Sequence, residues 1–349
     1  MKAIIYSETG EPSVLRLVDR EPAEPGPGEV RVRIAVSGVN PTDWKSRKGV
    51  TGKQKLPFAD MVPNQDGSGV VDAVGAGVTD VAVGDRVWLA LAAHELAAGG
   101  TAQECSVLPA DRVFPLPENA SFDIGASLGV PAITAHRALT VAEDGPSRLS
   151  PGALAGKTVL VAGGAGAVGN AAIQLARWAG ATVVSTVSSA EKGGHATAAG
   201  AHHVVNYREG DPAKAIRAVA PDGVDLVVEV SPAVNAGLNA AVIRNRGCIA
   251  VYANNGGDQM VLDVRRHFAL NVRYQFLLLY TVGAEALTAA GEDIVAALRD
   301  EALRVGEDAG LPLHRFDLEH TALAHAAVEA GAVGKVLIDV ADAGTFPAS

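Results

Sequence analysis

One short stretch constrains this chain more than any other: Gly164-Ala165-Gly166-Ala167-Val168-Gly169. It follows the apolar run Thr158–Ala162 directly and precedes Asn170–Trp178, which carries a helical pattern. A glycine-rich turn between a buried strand and a helix is what a dinucleotide-binding βαβ unit requires. Each glycine has its own reason. Gly164 permits the sharp turn, Gly166 lets a diphosphate approach the backbone, and Gly169 lets helix and strand pack closely. The helix start would present free N–H groups and a partial positive charge to the phosphates. A merely flexible Gly/Ala turn is the competing reading, and the flanking elements weigh against it.

The texture on either side of this motif differs. Residues 1–125 read as short β-branched runs (Val30–Val36, Gly69–Val74, Asp85–Leu89) separated by Gly and Pro, the pattern of a compact β-barrel. Residues 126–283 alternate apolar runs and helical segments. Strands are expected near Thr182–Val187, Val204–Val205, Val224–Val230 and Cys248–Tyr252, in a parallel sheet covered on both faces. Arg273–Val282, RYQFLLLYTV, reads either as a buried central strand or as an edge strand pairing with a second copy of the chain. Residues 284–349, with helices over 284–306 and 318–331 and a strand over 335–340, look like a return to the first domain. The fold class is therefore α/β: a doubly wound parallel sheet plus a β-rich barrel domain. A length of 349 residues suits two domains.

Composition closes off several classes. A formal charge of −10 and an aromatic content of 4% argue against nucleic acid. No apolar stretch approaches the ~20 residues of a membrane span. The two cysteines, Cys105 and Cys248, stand far apart, which fits a reducing cytoplasm rather than a disulfide framework. No Tyr-x-x-x-Lys pair is present, which excludes the short-chain dehydrogenases. The cofactor follows from the end of the second strand of the βαβ unit. NAD sites place an acid there, about 20 residues after the glycines. This chain has Ser188-Ser189 and then Lys192, hydroxyls and a cation that suit the 2′-phosphate of NADPH. The missing acid also argues against a methyltransferase. Lys192 reads equally well as a solvated lysine at a helix start, and Glu191 facing the ribose would reverse the preference.

A β-rich domain, a dinucleotide domain and a return to the first resembles the medium-chain dehydrogenase/reductases over essentially the whole chain. Gly156-Lys157 through Gly164-Ala165-Gly166 to Gln174 and Arg177 looks like the signature of the quinone oxidoreductases in that superfamily, the zeta-crystallin-like family, with Ala167 where the signature has glycine. Gly38-Val39-Asn40-Pro41-Thr42-Asp43, Gln65-Asp66-Gly67-Ser68-Gly69, Gly84-Asp85-Arg86-Val87, Gly129–Ala135 and Gly334-Lys335-Val336 add matches in the same order. The resemblance implies a GroES-like domain built from both chain ends, a Rossmann domain between, an active-site cleft between the two, and usually a homodimer. By the same matching Ser188, Lys192 and Tyr207 hold the 2′-phosphate, and Asn40, Asp43 and Thr134 lie near nicotinamide and substrate. Tyr252-Ala253-Asn254 lines the nicotinamide ribose.

The zinc enzymes of that superfamily hold a Lewis acid with Cys and His. Here Ser37-Gly38 precedes Val39, Asn64-Gln65-Asp66 stands at the Gly-His-Glu motif, and Leu91–Gly100 lacks the four cysteines of a structural site. His94-Glu95 reads as a solvated pair. A metal-free site suits acceptors whose conjugation spreads negative charge, so the expected reaction is hydride transfer from NADPH to a quinone. Asn40 is placed to hydrogen-bond the acceptor oxygen, or else serves as a turn residue. Asp43 positions substrate or caps the following helix, with capping favoured. Arg47–Pro57 and Phe268–Leu279 are expected to shape the acceptor pocket. The alternatives are reduction of the C=C bond of enones, enals or enoyl thioesters, and a catalytically silent NADPH-binding protein. Trp44-Lys45, where some enoyl reductases carry a proton-donating tyrosine, weighs against enoyl thioesters.

Overall fold

The computed structural model describes residues 1–50 and 56–341; part of the Arg47–Pro57 loop, residues 51–55, lies outside the described residues. The chain forms two units, Met1–Val130 joined by Leu313 onward, and Pro131–Pro312. In chain order the first unit contributes β1 (Lys2–Ile5), β2 (Arg16–Asp19), β3 (Glu29–Val39), α1 (Pro41–Lys48), β4 (Asp66–Val74), β5 (Arg86–Leu89), β6 (Cys105–Pro109), β7 (Val113–Pro115) and α2 (Phe122–Gly125). Helix α3 (Gly129–Leu139) leads into the second unit. There β8 (Thr158–Ala162), α4 (Ala167–Trp178), β9 (Thr182–Val187), α5 (Ala190–Ala198), β10 (His203–Asn206) and α6 (Pro212–Val219) alternate. They are followed by β11 (Val224–Glu229), α7 (Pro232–Val242), β12 (Ile243–Val251), α8 (Val264–Leu270), β13 (Arg273–Phe276) and α9 (Ala284–Arg299). The return is β14 (Leu313–Asp317), α10 (Thr321–Glu329) and β15 (Lys335–Asp339).

In the first unit the long strand β3 organises a mixed sheet of order β14-β15-β3-β4-β5-β7, with β6 also on β3. Its sequence alternates, so Val30, Val32 and Ile34 are buried on one face while Arg31 turns away to Asp72 and Glu24. Two registers matter for function. β15 runs antiparallel to β3 with Val336 opposite Val39, and β4 runs antiparallel to β3 with Asp66 opposite Gly38. The ends of three strands therefore meet beside Asn40, the residue that opens α1.

The second unit is an all-parallel sheet of order β10-β9-β8-β11-β12-β13. Helices cover such a sheet on both faces, which is why β8 (TVLVA) and the Leu226–Val228 centre of β11 are apolar without alternation. The strand order reverses between β8 and β11, the switch point at which dinucleotide folds bind their ligand. Among the described residues no helix is long and apolar enough to cross a membrane.

Several expected boundaries move. The return to the first unit falls at Leu313, not 284, and the first crossing at Pro131 rather than 126. Helix α9 stays with the second unit because its Asp293 accepts hydrogen bonds from the backbone N–H of Leu149 (2.7 Å) and from Arg148 (2.6 and 2.9 Å) and pairs with His136 (2.7 Å). It ends at Arg299 rather than 306, where Glu301 takes a positive φ of 55°. The strand expected over 273–282 stops at Phe276 and continues as a 3-10 turn over Leu279–Thr281. It is an edge strand and not a central one.

Candidate active site

The turn between β8 and α4 starts one residue earlier than the sequence motif. Gly163, with φ at +71°, supplies the left-handed residue of the sharp turn, which the sequence reading gave to Gly164. Gly164 is required for a different reason: a Cβ there would run into the Ser185 hydroxyl of β9 and into Ile173. At Gly169 a Cβ would overlap the carbonyl oxygen of Gly163, so the expected close packing of helix on turn is present. Gly166 is the N-cap of α4, and its nearest neighbour to an added Cβ is the Gly163 oxygen at 3.5 Å. Among the described residues no side chain caps this helix, so its first amides, from Ala167, Val168 and Gly169, are free to meet an anion. Ala165, within the turn, is buried. A diphosphate fits this cradle.

Beside it, the second strand ends in Val187 and the third in Asn206, paired in register. The next residues, Ser188 and Tyr207, therefore emerge side by side, with the Tyr207 N–H on the Val187 carbonyl at 3.0 Å. Ser189 caps α5, its Oγ accepting from the backbone N–H of Lys192 at 3.3 Å. Lys192 is half-buried in the first turn of that helix, Tyr207 is exposed, and Glu191 points into solvent. Ser188 and Ser189 thus follow the end of β9, Tyr207 follows the adjacent end of β10, and Lys192 stands in the first turn of α5, with no carboxylate in the end of β9 itself. After β12, Tyr252 donates its N–H to the Glu229 carbonyl at 3.1 Å, and the Asn254 amide bonds to Asp258. Ala253 lies between them, half-buried. Burial raises the Tyr252 phenol well above its usual range, and the neighbouring Glu229 charge adds to this. Thr134 lies on α3, buried, in the second unit.

In the first unit the structure brings Asn40 and Asp43 together and adds two residues the sequence did not single out as functional, Asp66 and Lys335. Asp43 accepts from the backbone N–H of Asn40 (2.7 Å) and of Gln65 (3.1 Å), so it caps α1 as favoured. Burial, reinforced by the nearby Asp66 charge, pushes its carboxyl up to about 7. The Asn40 side chain is 2% exposed. Its Nδ2 donates to Asp66 Oδ2 at 2.8 Å, and its Oδ1 accepts from Lys335 Nζ at 2.8 Å. Lys335 Nζ also donates to Asp66 Oδ2 at 2.9 Å, and Asp66 Oδ1 accepts from the Val130 N–H at 2.7 Å. Lys335 and Asp66 are 1% and 0% exposed, a fully desolvated ion pair. The neighbouring side chains are also tied inward: Asn64 donates to Ser37 Oγ (2.9 Å), and Gln65 Oε1 accepts from the Ala93 N–H (3.2 Å). Trp44 sits half-buried on α1, with Lys45 over its ring. The signal for Lys335 was the Gly334-Lys335-Val336 match, and only strand register shows where it points.

A β-rich unit made from both chain ends, with a parallel dinucleotide-type sheet inserted into it, defines a medium-chain dehydrogenase/reductase. The alcohol dehydrogenase GroES-like domain family matches residues 26–118, and the zinc-binding dehydrogenase family matches residues 167–299. A quinone oxidoreductase of Lama guanicoe is 31% identical over 343 residues, 97% of each chain. Among solved structures, a mycobacterial protein complexed with NADPH is 30% identical over 97% of this chain and 99% of its own, with a TM-score of 0.78. An NAD-dependent alcohol dehydrogenase is 30% identical over 98% of this chain and 100% of its own, with a TM-score of 0.83. This chain belongs to the quinone oxidoreductase family of that superfamily, a family of oxidoreductases.

Proposed function

We propose that this protein reduces quinones with NADPH, without a catalytic metal. The observation that carries the acceptor half is the Asn40 amide, buried and held on two sides by charged partners. At the Gly-His-Glu position of the zinc enzymes, Asn64, Gln65 and Asp66 are all consumed by internal hydrogen bonds. Both Asp66 oxygens are taken, one by an ammonium that already supplies the local positive charge. This supports a site that holds no zinc. The preference for NADPH over NADH is supported by Ser188, Ser189, Lys192 and Tyr207 at the tip of β9.

Bound at the glycine turn, NADPH supplies a hydride from C4 of its nicotinamide; a quinone taking up that hydride and one solvent proton becomes the hydroquinone, leaving NADP+. The chain's residues bind and orient. The α4 amides and turn glycines hold the diphosphate, the Ser188–Lys192 segment and Tyr207 hold the 2′-phosphate, and Tyr252-Ala253-Asn254 lines the nicotinamide ribose. Thr134 packs near the nicotinamide. Asn40 donates to the acceptor oxygen and follows it as negative charge gathers there. Asp43 keeps the start of α1, and with it Asn40, in place. Metal-free purified protein should consume NADPH with 1,4-benzoquinone faster than with simple enones or enals. Faster turnover of the enones would transfer the reading to C=C reduction, and no turnover of either would leave a silent NADPH-binding protein.

The same reading makes the protein a cytoplasmic homodimer joined across β13. Among the described residues that strand is the open edge of the second unit's sheet, and its last residue Phe276 and the following Leu278 are 61% and 58% exposed. An open, apolar edge is an aggregation hazard unless a like edge covers it. Light scattering at micromolar concentration should give twice the 35.6 kDa of one chain; a monomer mass would contradict it.

A further inference from the structure

A carboxamide has one end that only accepts and one end that only donates, and nothing about its shape fixes which way round it sits. At Asn40 the partners fix it. An ammonium can only donate, and it faces Oδ1. An ionised carboxylate can only accept, and it faces Nδ2. Turning the amide over would set N–H against ammonium and C=O against carboxylate, both unfavourable and both in a fully desolvated pocket. Lys335 bonds both partners at once, so it holds the arrangement together. Val130 completes it by fixing the far oxygen of Asp66. One bond is left over. Nδ2 carries two hydrogens, and one of them has no partner among the described residues. A buried donor without an acceptor is costly unless something else supplies one.

We propose that Lys335 and Asp66 are positioning residues of this site, locking the Asn40 amide so that it presents a single free N–H and never its carbonyl. This rests on the reading that Asn40 meets the acceptor. It adds a selectivity. The position offers a hydrogen to an oxygen that accepts, such as the carbonyl of a quinone, and its bond strengthens as that oxygen becomes an oxyanion. It offers nothing to a group that must donate. The Lys335 ammonium behind the amide polarises it in the same direction.

The decisive variant is the double substitution Asp66→Asn with Lys335→Met, which removes both charges and leaves none buried alone. The Val130 N–H would hold the oxygen of residue 66, so its amino end would face position 40 and turn the Asn40 amide round. The double variant should keep its melting temperature and its NADPH affinity, read by fluorescence titration. Its kcat with 1,4-benzoquinone should fall at least about tenfold, the scale of losing one oxyanion donor being about 100-fold. Lys335→Arg, which still donates to both partners, should retain most of the rate. In an Asn40→Ala background the double substitution should change kcat no further, because its effect passes through that amide. A folded, NADPH-binding double variant with unchanged kcat and KM overturns the inference alone. So does an equal further loss in the Asn40→Ala background. Wild-type protein that turns over no acceptor overturns the parent reading, and this one with it. Should the double variant not fold, a Lys335→Arg protein that folds, binds NADPH and has lost its rate also overturns it.

Discussion

The two units build their candidate binding sites from different materials. In the second, the backbone would do the work: Gly163 to Gly169 leave bare amides at the start of α4, and the side chains there matter mainly by being absent. In the first, side chains do it: Asn40, Asp66 and Lys335 come from three separate strand ends and form one buried polar knot. A backbone site tolerates almost no added atoms but asks little of charge. A side-chain site tolerates changes of volume poorly and changes of charge worse. The glycine turn is therefore most fragile to added volume, and the Asn40 knot to lost charge.

The largest effect is expected at the backbone site. Gly169→Val puts side-chain atoms into the Gly163 carbonyl, so the helix must lift away from the turn. NADPH affinity should fall by about a thousandfold or more, near 4 kcal/mol, in a protein whose first unit keeps its structure. Retained affinity would mean that the turn does not carry the diphosphate. A smaller change is expected at the tip of β9. Lys192→Ala should raise the KM for NADPH by about tenfold and leave that for NADH unchanged. If both cofactors lose equally, Lys192 has no part in distinguishing them.

The smallest effect separates two buried carboxylates, one in each unit. Among the described residues Asp43 has only backbone donors, and burial, reinforced by the nearby Asp66 charge, lifts it to about 7. Asp293 is also opposed by burial, yet the hydrogen bonds from His136 and Arg148 hold it down to about 2. The signs differ accordingly. Between its ordinary 3.8 and about 7, folded Asp43 keeps a proton that the unfolded chain has released, so it lowers stability as pH rises through that window. Asp293 contributes stability above 3.8 that is lost as pH falls toward about 2. Melting temperatures measured from pH 4 to 7 should decline less steeply for Asp43→Asn than for the wild type. Parallel curves would remove the contrast.

The same difference explains what was legible in the sequence. The glycine turn is local, so its spacing and its flanking strand and helix could be read from a dozen residues. Even there, the residue with positive φ was Gly163, because the motif marks the ligand side and not the start of the bend. The tip of β9 was legible as a missing acid. The knot at Asn40 was not. Asp66 lies 26 residues from Asn40, and Lys335 lies 295 away, so no window contains all three. Only the antiparallel registers of β15 and β4 on β3 bring them together. For the run at 273–282 the sequence leaves central and edge strand open, since apolar residues on an edge look like those of a central strand; the sheet order selects the edge, and the strand is shorter, ending at Phe276. Helix α9 was assigned to the wrong unit because the bonds that hold Asp293 reach back to residues 136–149, which no helical pattern reveals.

The proposed reaction is hydride transfer to a quinone from a reduced nicotinamide cofactor that carries a 2′-phosphate. The most direct test is the loss of reduced-cofactor absorbance with 1,4-benzoquinone, run in parallel with NADPH and NADH on metal-stripped protein. We expect kcat/KM with NADPH to exceed that with NADH by about tenfold or more. Equal rates with the two cofactors, or a rate that returns only when zinc is added, would contradict it.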